Sequence, residues 1–148
     1  MSYTSLFYHI VFSTKERQAF LSPDKLSRAC AYMGGVAREL KGQVVLGNGA
    51  ADHIHLAAIV HPSMALAGFV NAVKANSSRW IHETFENLAD FSWQEGYAAF
   101  TVSKSALPQV MDYIKGQEAH HHKMTFQEEL LALLKRHGVE YDERYIWR

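Results

Sequence analysis

Two histidines separated by one residue, His53 and His55, are the clearest candidates for chemistry in the chain. The segment 53–60 has the composition of a strand, and side chains two positions apart in a strand project to the same face, about 7 Å apart. Two imidazoles on one face can bind a single cation. Taken alone, a His-x-His pair is more often simply two polar residues on a half-exposed strand than a metal site, so the pattern needs further partners.

Tyr113 and Gln117 form a second candidate pair, four positions apart in a stretch that we predict to be helical. Side chains at positions i and i+4 lie on one face of a helix. A phenol can act as a nucleophile, and a carboxamide oxygen can bind a hard divalent cation such as Mg²⁺ or Mn²⁺. Taken alone, Tyr113 also fits an aromatic residue of an amphipathic core. The two pairs together indicate a nucleophile beside a metal site.

Apolar periodicity and turn signals divide the chain into strands and helices that must position these residues. Ser22 followed by Pro23 predicts the start of a helix, and Thr125 with Glu128 predicts a capping box for the last helix. In chain order, the predicted elements are a strand at 6–12, a helix from 23 that ends at Gly42, a hairpin of strands 43–48 and 53–60 with its turn at 47–49, a helix at about 64–85, a strand at 100–102, a helix that begins at Pro108 and carries Gln117, and a helix from 126 that ends at Gly138.

This order of elements predicts an α+β domain of the ferredoxin-like (RRM-like) type, with a largely antiparallel sheet and helices packed against it. The chain has 148 residues and 48% hydrophobic content, which fits one domain over residues 1–148. The topology supports many functions and therefore decides none of them.

Composition narrows the possible classes of function. The chain has 15 basic and 15 acidic residues, which argues against a broad positive field for holding duplex DNA. The apolar runs 56–60 and 64–70 are far shorter than the roughly 20 residues of a membrane span. Residues 1–12 lack the pattern of a secretory signal, so we expect a cytoplasmic protein. Cys30 is the single cysteine, which excludes an internal disulfide, and we expect it to be a small buried hydrophobe.

Taken together, these motifs resemble the single-tyrosine HUH transposases of the smallest bacterial insertion sequences, including their relatives that act on repetitive palindromes. HUH denotes His, a hydrophobic residue and His, the pattern of His53-Ile54-His55. The resemblance extends over essentially the whole chain, and its order and spacing are more specific than any single motif. The segments that carry it are 8–13, 53–55, 74–80, 93–103, 113–117 and 126–147.

The resemblance implies a role for each residue of the two pairs. His53 and His55 match the two HUH histidines, Tyr113 matches the catalytic tyrosine, and Gln117 matches the third metal ligand. The implied enzyme cleaves and rejoins single-stranded DNA with the help of a divalent cation, Mg²⁺ or Mn²⁺. Tyr113 attacks a phosphate and forms a 5′-phosphotyrosine, which retains the energy of the broken bond. A second 3′-hydroxyl can then reverse the step and join a different strand.

The resemblance also implies partners. These are single-stranded DNA bearing imperfect hairpins and a second copy of the chain in a homodimer, in a bacterial cytoplasm with nucleoid association when DNA is bound. Phosphate contacts are expected from polar and basic side chains, although each of them singly also fits a solvated surface group. The candidates are Lys15, Arg17, Lys74, Asn76, Ser77, Arg79, Lys104 and Lys115. The run His120-His121-His122 is expected to lie outside the metal site.

Three other functions fit parts of the pattern. A nucleotide hydrolase of the histidine-triad type needs a third alternating histidine, and Ala57 stands in that place. An HxH metal oxygenase normally adds a carboxylate on a β barrel, which the predicted helices oppose. A catalytically inactive or domesticated nucleic-acid-binding module of the same fold stays open. The presence of all four of His53, His55, Tyr113 and Gln117 counts against loss of activity.

Overall fold

A computed structural model describes residues 1–147, without the side chains of residues 120–122. Four strands and five α-helices follow one another along the chain, and short 3-10 turns at Lys15–Arg17 and Lys104–Ala106 follow the first and last strands. The elements are β1 (Phe7–Ser13), α1 (Pro23–Glu39), β2 (Gln43–Ala50), β3 (His53–Ile59), α2 (Leu66–Thr84), β4 (Ala98–Val102), α3 (Leu107–Lys115), α4 (Gln117–Lys123) and α5 (Phe126–Arg136). Among the helices of residues 1–147, none has the length and apolar content needed to cross a membrane.

The four strands form one sheet in the order β2-β3-β1-β4, and every neighbouring pair is antiparallel. The two central strands, β1 and β3, pair with Ile10 opposite Leu56 and Val11 opposite His55. The connection from β1 through α1 to β2 skips one place in the sheet, as does the connection through α2 from β3 to β4. This is the ferredoxin-like arrangement, so the predicted fold class is confirmed.

Successive side chains of β3 point to opposite sides of the sheet, which gives the sheet two different faces. Ile54, Leu56 and Ala58 belong to the main hydrophobic core together with the buried residues of α1 and α2, and we call this side the apolar face. On the other side, His53 stacks against Phe126 of α5 with ring centroids 4.7 Å apart. We call this side, which α3 and α5 cover, the site face.

The helix ends follow the capping signals of the sequence. The Ser22 hydroxyl accepts a hydrogen bond from the Lys25 amide at 3.4 Å, at the start of α1. At the start of α5, Thr125 and Glu128 exchange both hydrogen bonds of a capping box. Beyond the end of α5, Gly138 has φ of 67°, a conformation that favours glycine. The predicted starts of α1 and α5 and the predicted end of α5 are confirmed, whereas α1 ends at Glu39, slightly before the predicted Gly42.

The predicted turn at residues 47–49 is wrong. These residues lie in β2, which continues to Ala50 opposite His53, so that residues 51 and 52 form the turn. Gly49 is needed because the two strands approach closely: a Cβ atom there would lie 2.1 Å from the carbonyl oxygen of His53. The glycine therefore serves close backbone packing rather than chain reversal, a distinction that composition does not reveal.

The predicted single helix from Pro108 through Gln117 is also wrong. The helix α3 ends at Lys115, Gly116 is its C-cap, and Gln117 begins the separate helix α4. Glycine is a weak helix former and a common terminator, which accounts for the break at this position. Gln117 therefore does not follow Tyr113 on one continuous helical face, although both side chains still reach the same site.

Candidate functional site

His53 and His55 lie side by side on the site face and are almost completely buried, with 1% and 0% of their surface exposed. Their Nε2 atoms point toward one carboxylate oxygen, Glu129 Oε1, at 3.3 Å from His53 and 3.2 Å from His55. Because neither ring faces solvent, the alternative interpretation of this pair, as two polar residues on a half-exposed strand, does not hold. The histidines instead form one wall of a closed polar site.

Each imidazole is oriented by a second partner on its outer nitrogen. Asp52 Oδ1 lies 2.7 Å from His53 Nδ1, and His9 Nε2, on the neighbouring strand β1, lies 2.8 Å from His55 Nδ1. A partner on one ring nitrogen sets the ring orientation and leaves the other nitrogen for a ligand. Asp52 and His9 therefore hold both Nε2 atoms toward the interior of the site.

Glu129, in the first turn of α5, connects the two predicted pairs. Its Oε1 faces the histidines, and its Oε2 accepts hydrogen bonds from the Gln117 amide at 3.0 Å and from the Tyr113 hydroxyl. Gln117 is fully buried, and its Oε1 lies 2.9 Å from His53 Nε2. One carboxylate thus joins the hydroxyl of the candidate nucleophile, the carboxamide and both imidazoles.

The pKa values of His53 and His9 are shifted in opposite directions by burial and hydrogen bonding. Burial opposes charge on His53, but hydrogen bonds to Asp52, Glu129 and Gln117 outweigh it and raise the pKa of His53 to about 9. Burial, with the neighbouring His55, lowers the pKa of His9 to about 3. His53 is therefore charged near neutral pH, whereas His9 is neutral and can accept a hydrogen bond through Nε2.

The pKa values of Glu129 and Tyr113 are also strongly shifted. Burial disfavours the Glu129 carboxylate, yet the hydrogen bonds from His53 and His55 hold the pKa of Glu129 far below its usual range. Burial and the hydrogen bond to the Glu129 carboxylate raise the pKa of Tyr113 well above its usual value. Glu129 is therefore ionised and Tyr113 keeps its proton in the arrangement that the structure shows.

The donor set suits a divalent cation. One ligand atom each from His53, His55 and Glu129 lies within 4.8 Å of the others, and all three residues are buried. The Gln117 carboxamide oxygen adds a fourth donor beside His53 Nε2. Imidazole nitrogen with carboxylate and amide oxygen is a combination that Mn²⁺ accepts, and Mg²⁺ accepts its oxygen donors. The site can therefore hold such a cation next to the hydroxyl of Tyr113.

Comparison with known proteins identifies the family. Residues 2–117 match the family described as "Transposase IS200 like". The chain belongs to this family. The resemblance to single-tyrosine HUH transposases is thereby confirmed, and the chain is a transposase, an enzyme of DNA transposition.

Named relatives support the same assignment. The transposase for insertion sequence element IS200 of Salmonella typhimurium is 32% identical over 121 residues, which cover 74% of this chain and 75% of that protein. The ISDra2 transposase TnpA of Deinococcus radiodurans is 26% identical over 115 residues, which cover 74% of this chain and 82% of that protein. The match to the IS200 protein thus extends over most of both chains.

Solved structures share the fold of this transposase. A Deinococcus radiodurans protein superposes with a TM-score of 0.65 at 24% identity, over 79% of this chain and 95% of that chain. A REP-associated tyrosine transposase, solved bound to a REP hairpin, gives a TM-score of 0.61 at 12% identity, over 82% of this chain and 74% of that chain. At these identities, the similarity establishes the architecture.

Three site residues of the transposase were missed from the sequence: His9, Asp52 and Glu129. A signal for Glu129 was present, because it falls at helical spacing between Phe126 and Leu133 of the apolar stripe of α5, where an acidic residue is out of place. Asp52 directly precedes His53, but its role requires the two-residue turn that was not predicted. The contribution of His9 depends on the pairing of β1 with β3.

Two of the predicted phosphate contacts, Lys74 and Ser77, lie inside the fold. The Lys74 ammonium donates hydrogen bonds to the carbonyl oxygens of Gln94, Glu95 and Gly96 at 2.7, 3.2 and 2.9 Å. The Ser77 hydroxyl accepts a hydrogen bond from the Trp93 ring nitrogen at 3.0 Å. Both side chains are buried and committed to structural bonds, so we do not carry them forward as DNA contacts.

The other predicted contacts lie at separate places on the molecule. Asn76 and Arg79 bond to each other on α2, on the opposite side of the sheet from the histidines. Arg17 bonds to the Trp147 carbonyl oxygen and lies over its ring. The remaining three lysines are exposed. Lys15 follows β1, Lys104 follows β4, and Lys115 is the last residue of α3.

Two further expectations concern histidine and cysteine residues outside this network. The side chains of His120, His121 and His122 are outside the described part of the structure. Cys30 is half-buried and packs against the main core, and burial raises the pKa of its thiol to about 12. The thiol is therefore protonated, in agreement with a structural rather than a catalytic role.

Proposed function

We propose that this transposase cleaves and rejoins single-stranded DNA at hairpin-bearing ends, with Tyr113 as nucleophile and a 5′-phosphotyrosine as intermediate. The observation that carries the proposal is the network around Glu129. It places the Tyr113 hydroxyl, the Gln117 carboxamide and the inward nitrogens of two histidines around a single carboxylate. A tyrosine that served only packing would not need to share a buried carboxylate with two oriented imidazoles.

His53, His55 and Gln117, joined by Glu129, are the residues that would hold the divalent cation, Mg²⁺ or Mn²⁺. A cation bound there would polarise the scissile phosphate and would compensate negative charge during the attack by Tyr113. Asp52 and His9 keep the two imidazole rings turned inward. Glu129 differs from the ligands that the resemblance implies, because it comes from α5 and also touches the nucleophile.

Within this site, the protein residues orient the attacking oxygen. The ionised Glu129 carboxylate fixes the direction of the Tyr113 hydroxyl by accepting its hydrogen bond. In the reaction, the Tyr113 hydroxyl loses its proton as its oxygen forms a bond to phosphorus, the bond from phosphorus to the 3′-oxygen breaks, and the departing oxygen takes up a proton to become a 3′-hydroxyl. Attack of another 3′-hydroxyl on the phosphotyrosine releases Tyr113 and joins the new strand. Cleavage and joining are one reaction in two directions, without a high-energy cofactor.

The proposal extends to partners. Single-stranded DNA with hairpins is the proposed substrate, supported by the structural relative that was solved with a REP hairpin. We propose a homodimer that works on the bacterial nucleoid in the cytoplasm. Exposed or half-buried side chains remain as proposed phosphate contacts. They are Lys15, Arg17, Asn76, Arg79, Lys104 and Lys115.

The test is the formation of a covalent adduct. Labelled single-stranded oligonucleotides from the DNA that flanks the gene are incubated with the protein and Mg²⁺ or Mn²⁺, then separated under denaturing conditions. We expect an adduct with the natural protein and with the control variant Tyr3→Phe, whose tyrosine is exposed near the N-terminus. We expect none with Tyr113→Phe or with a chelator.

Two results would count against the proposal. An adduct that persists in Tyr113→Phe would place the nucleophile elsewhere. Hairpin binding without an adduct, for every flanking oligonucleotide and both cations, would favour the inactive nucleic-acid-binding module. Thermal melting of both variants shows that a lost adduct does not reflect a lost fold.

A further inference from the structure

An open cavity of about 270 Å³ lies beside Tyr113 and is lined mainly by β4, α3 and the C-terminal part of α5. The rings of Phe100, His9 and Tyr113 form part of its wall, and Val110 of α3 adds an aliphatic surface. The cavity volume lies just below the range for small-molecule sites, which is about 300–1,000 Å³. It is therefore of a size for a single flat group rather than for a long segment of chain.

The charge around this cavity suits an anion. None of the described residues that line it carries a carboxylate, whereas Arg136 lines it at the end of α5. Among residues 1–147, excluding the side chains of 120–122, no carboxylate is paired with Arg136. Its positive charge also acts on the Tyr113 hydroxyl, where it opposes the upward shift of the pKa of Tyr113. Arg136 is thus an available guanidinium near the proposed nucleophile.

The walls also suit a planar ring. His137 stacks on Phe100 with ring centroids 4.3 Å apart and an interplanar angle of 16°. Gln109, an exposed side chain at the rim, carries both a donor and an acceptor. Aromatic walls stack against a nucleobase of any sequence, an amide can bind a base edge, and a guanidinium binds a phosphate. The three features occur together in this one cavity.

We propose that this cavity binds one nucleotide of the DNA strand that Tyr113 cleaves, next to the scissile phosphate. The base lies against Val110 and the exposed His137 ring, which is stacked on Phe100, and Arg136 binds the nucleotide's phosphate. This inference rests on the proposed function, because the strand must pass Tyr113. It adds a nucleotide site outside the metal-binding residues and assigns to Arg136 a binding role that the sequence did not suggest.

The test uses the full chain without metal, so that binding does not depend on cleavage. Isotope-labelled protein is titrated with each of the four deoxynucleoside 5′-monophosphates, and amide NMR shifts are followed up to about 20 mM, since isolated nucleotides bind in the millimolar range. We expect saturable shifts confined to segments 100–103, 106–113 and 133–137 for at least one nucleotide. The corresponding nucleoside, which lacks the phosphate, should bind at least about 5-fold more weakly.

Two substitutions and a matched control define the site. Arg136→Ala should raise the dissociation constant at least about 5-fold, whereas Lys135→Ala, the neighbouring exposed cation outside the cavity, should change it less than about 2-fold. Val110→Trp should fill the cavity and abolish the shifts. Val110→Phe serves the same purpose if the tryptophan variant does not fold.

The absence of saturable shifts at the cavity for all four nucleotides would overturn the proposal. Equal effects of Arg136→Ala and Lys135→Ala, or undiminished shifts in a folded Val110 variant, would overturn it too. The two proposals fail separately. Adduct formation through Tyr113 without nucleotide binding at the cavity would reject this inference alone, and nucleotide binding without any adduct would reject the nucleophile and keep the cavity as a nucleotide site.

Discussion

The two faces of the central sheet differ in what they bury, although alternate residues of the same strands supply both. On the apolar face, Ile54 and Leu56 pack into a core of aliphatic and aromatic side chains between the sheet and helices α1 and α2. On the site face, the neighbouring His53 and His55 are equally buried but are surrounded by hydrogen-bonding groups. One β-strand thus supports a hydrophobic core on one side and a polar network on the other.

This difference separates stability from function. Burial of polar groups costs free energy unless each group is paired, so a polar network adds little to stability relative to apolar packing. In the described part of the chain, no buried side-chain nitrogen or oxygen lacks a hydrogen-bond partner. The polar network of the site face therefore maintains its geometry by pairing, while the largest hydrophobic cluster lies on the apolar face. Substitutions on the two faces should consequently affect different measurements.

The largest effect is expected from His55→Ala. Removing an inward imidazole should weaken Mn²⁺ binding by at least about 100-fold, because loss of a direct ligand should cost at least as much as loss of a residue that orients one. Calorimetric titration measures the affinity. The control is His61→Ala, which removes a histidine just beyond the end of β3. Unchanged Mn²⁺ affinity in His55→Ala would show that the site face is not the metal site.

Leu56→Ala tests the apolar face at the adjacent position. Leu56 is 1% exposed within the main core, and we expect the substitution to lower the free energy of unfolding by about 3 kcal/mol through lost burial and a residual cavity. Urea denaturation measures this change. Mn²⁺ affinity should stay within about 2-fold at a temperature where the variant is folded. A large loss of Mn²⁺ affinity in folded Leu56→Ala would contradict the separation of the two faces.

Lys74→Met tests a polar group that lies on the apolar side of the sheet. The substitution leaves three backbone carbonyl groups without the ammonium donor, and we expect the free energy of unfolding to fall by about 2 kcal/mol. Arg79→Ala, an exposed change on the same helix, should alter it by less than about 0.5 kcal/mol. Similar unfolding free energies for the two variants, measured in urea, would show that the ammonium does not stabilise the 94–96 segment.

The smallest expected effect is the pH dependence that His9 contributes. The pKa of His9 is about 3 in the folded protein and 6.5 at its ordinary value, so the unfolded chain binds a proton that the folded protein excludes as the pH falls below 6.5. Stability should therefore decrease between pH 6.5 and 5 by about 1.5 kcal/mol from this group. Above about pH 7.5, where the unfolded histidine is also neutral, its contribution is constant.

Urea denaturation at pH 6.5 and pH 5 measures this effect, and His9→Asn should remove it. The raised pKa of His53 does not interfere, because its contribution changes only as the pH rises from 6.5 toward 9. His61→Asn, which changes a histidine just beyond the end of β3 that does not act on His9, serves as a control and should keep the natural slope. An equal pH slope in the natural protein and in His9→Asn would mean that His9 is not neutral in the folded state.

The sequence by itself determined the elements and the two pairs of candidate residues. Strand alternation placed His53 and His55 on one face, helix caps such as Ser22 and Thr125 marked helix starts, and the order of elements was sufficient for the ferredoxin-like fold. These features depend on local backbone preference and on periodicity, which a single sequence records. The family resemblance rested on the same local motifs in their order along the chain.

Only the tertiary structure decided how the site is completed. Glu129 lies 74 residues from His55 along the chain, and His9 lies 46 residues from it, so their contacts exist only after α5 and β1 have packed beside β3. The burial of Lys74 likewise depends on packing between distant segments, because its ammonium bonds to residues 94–96. Local patterns can nominate a ligand or a nucleophile, but a hydrogen-bond network between separate elements is a property of their packing.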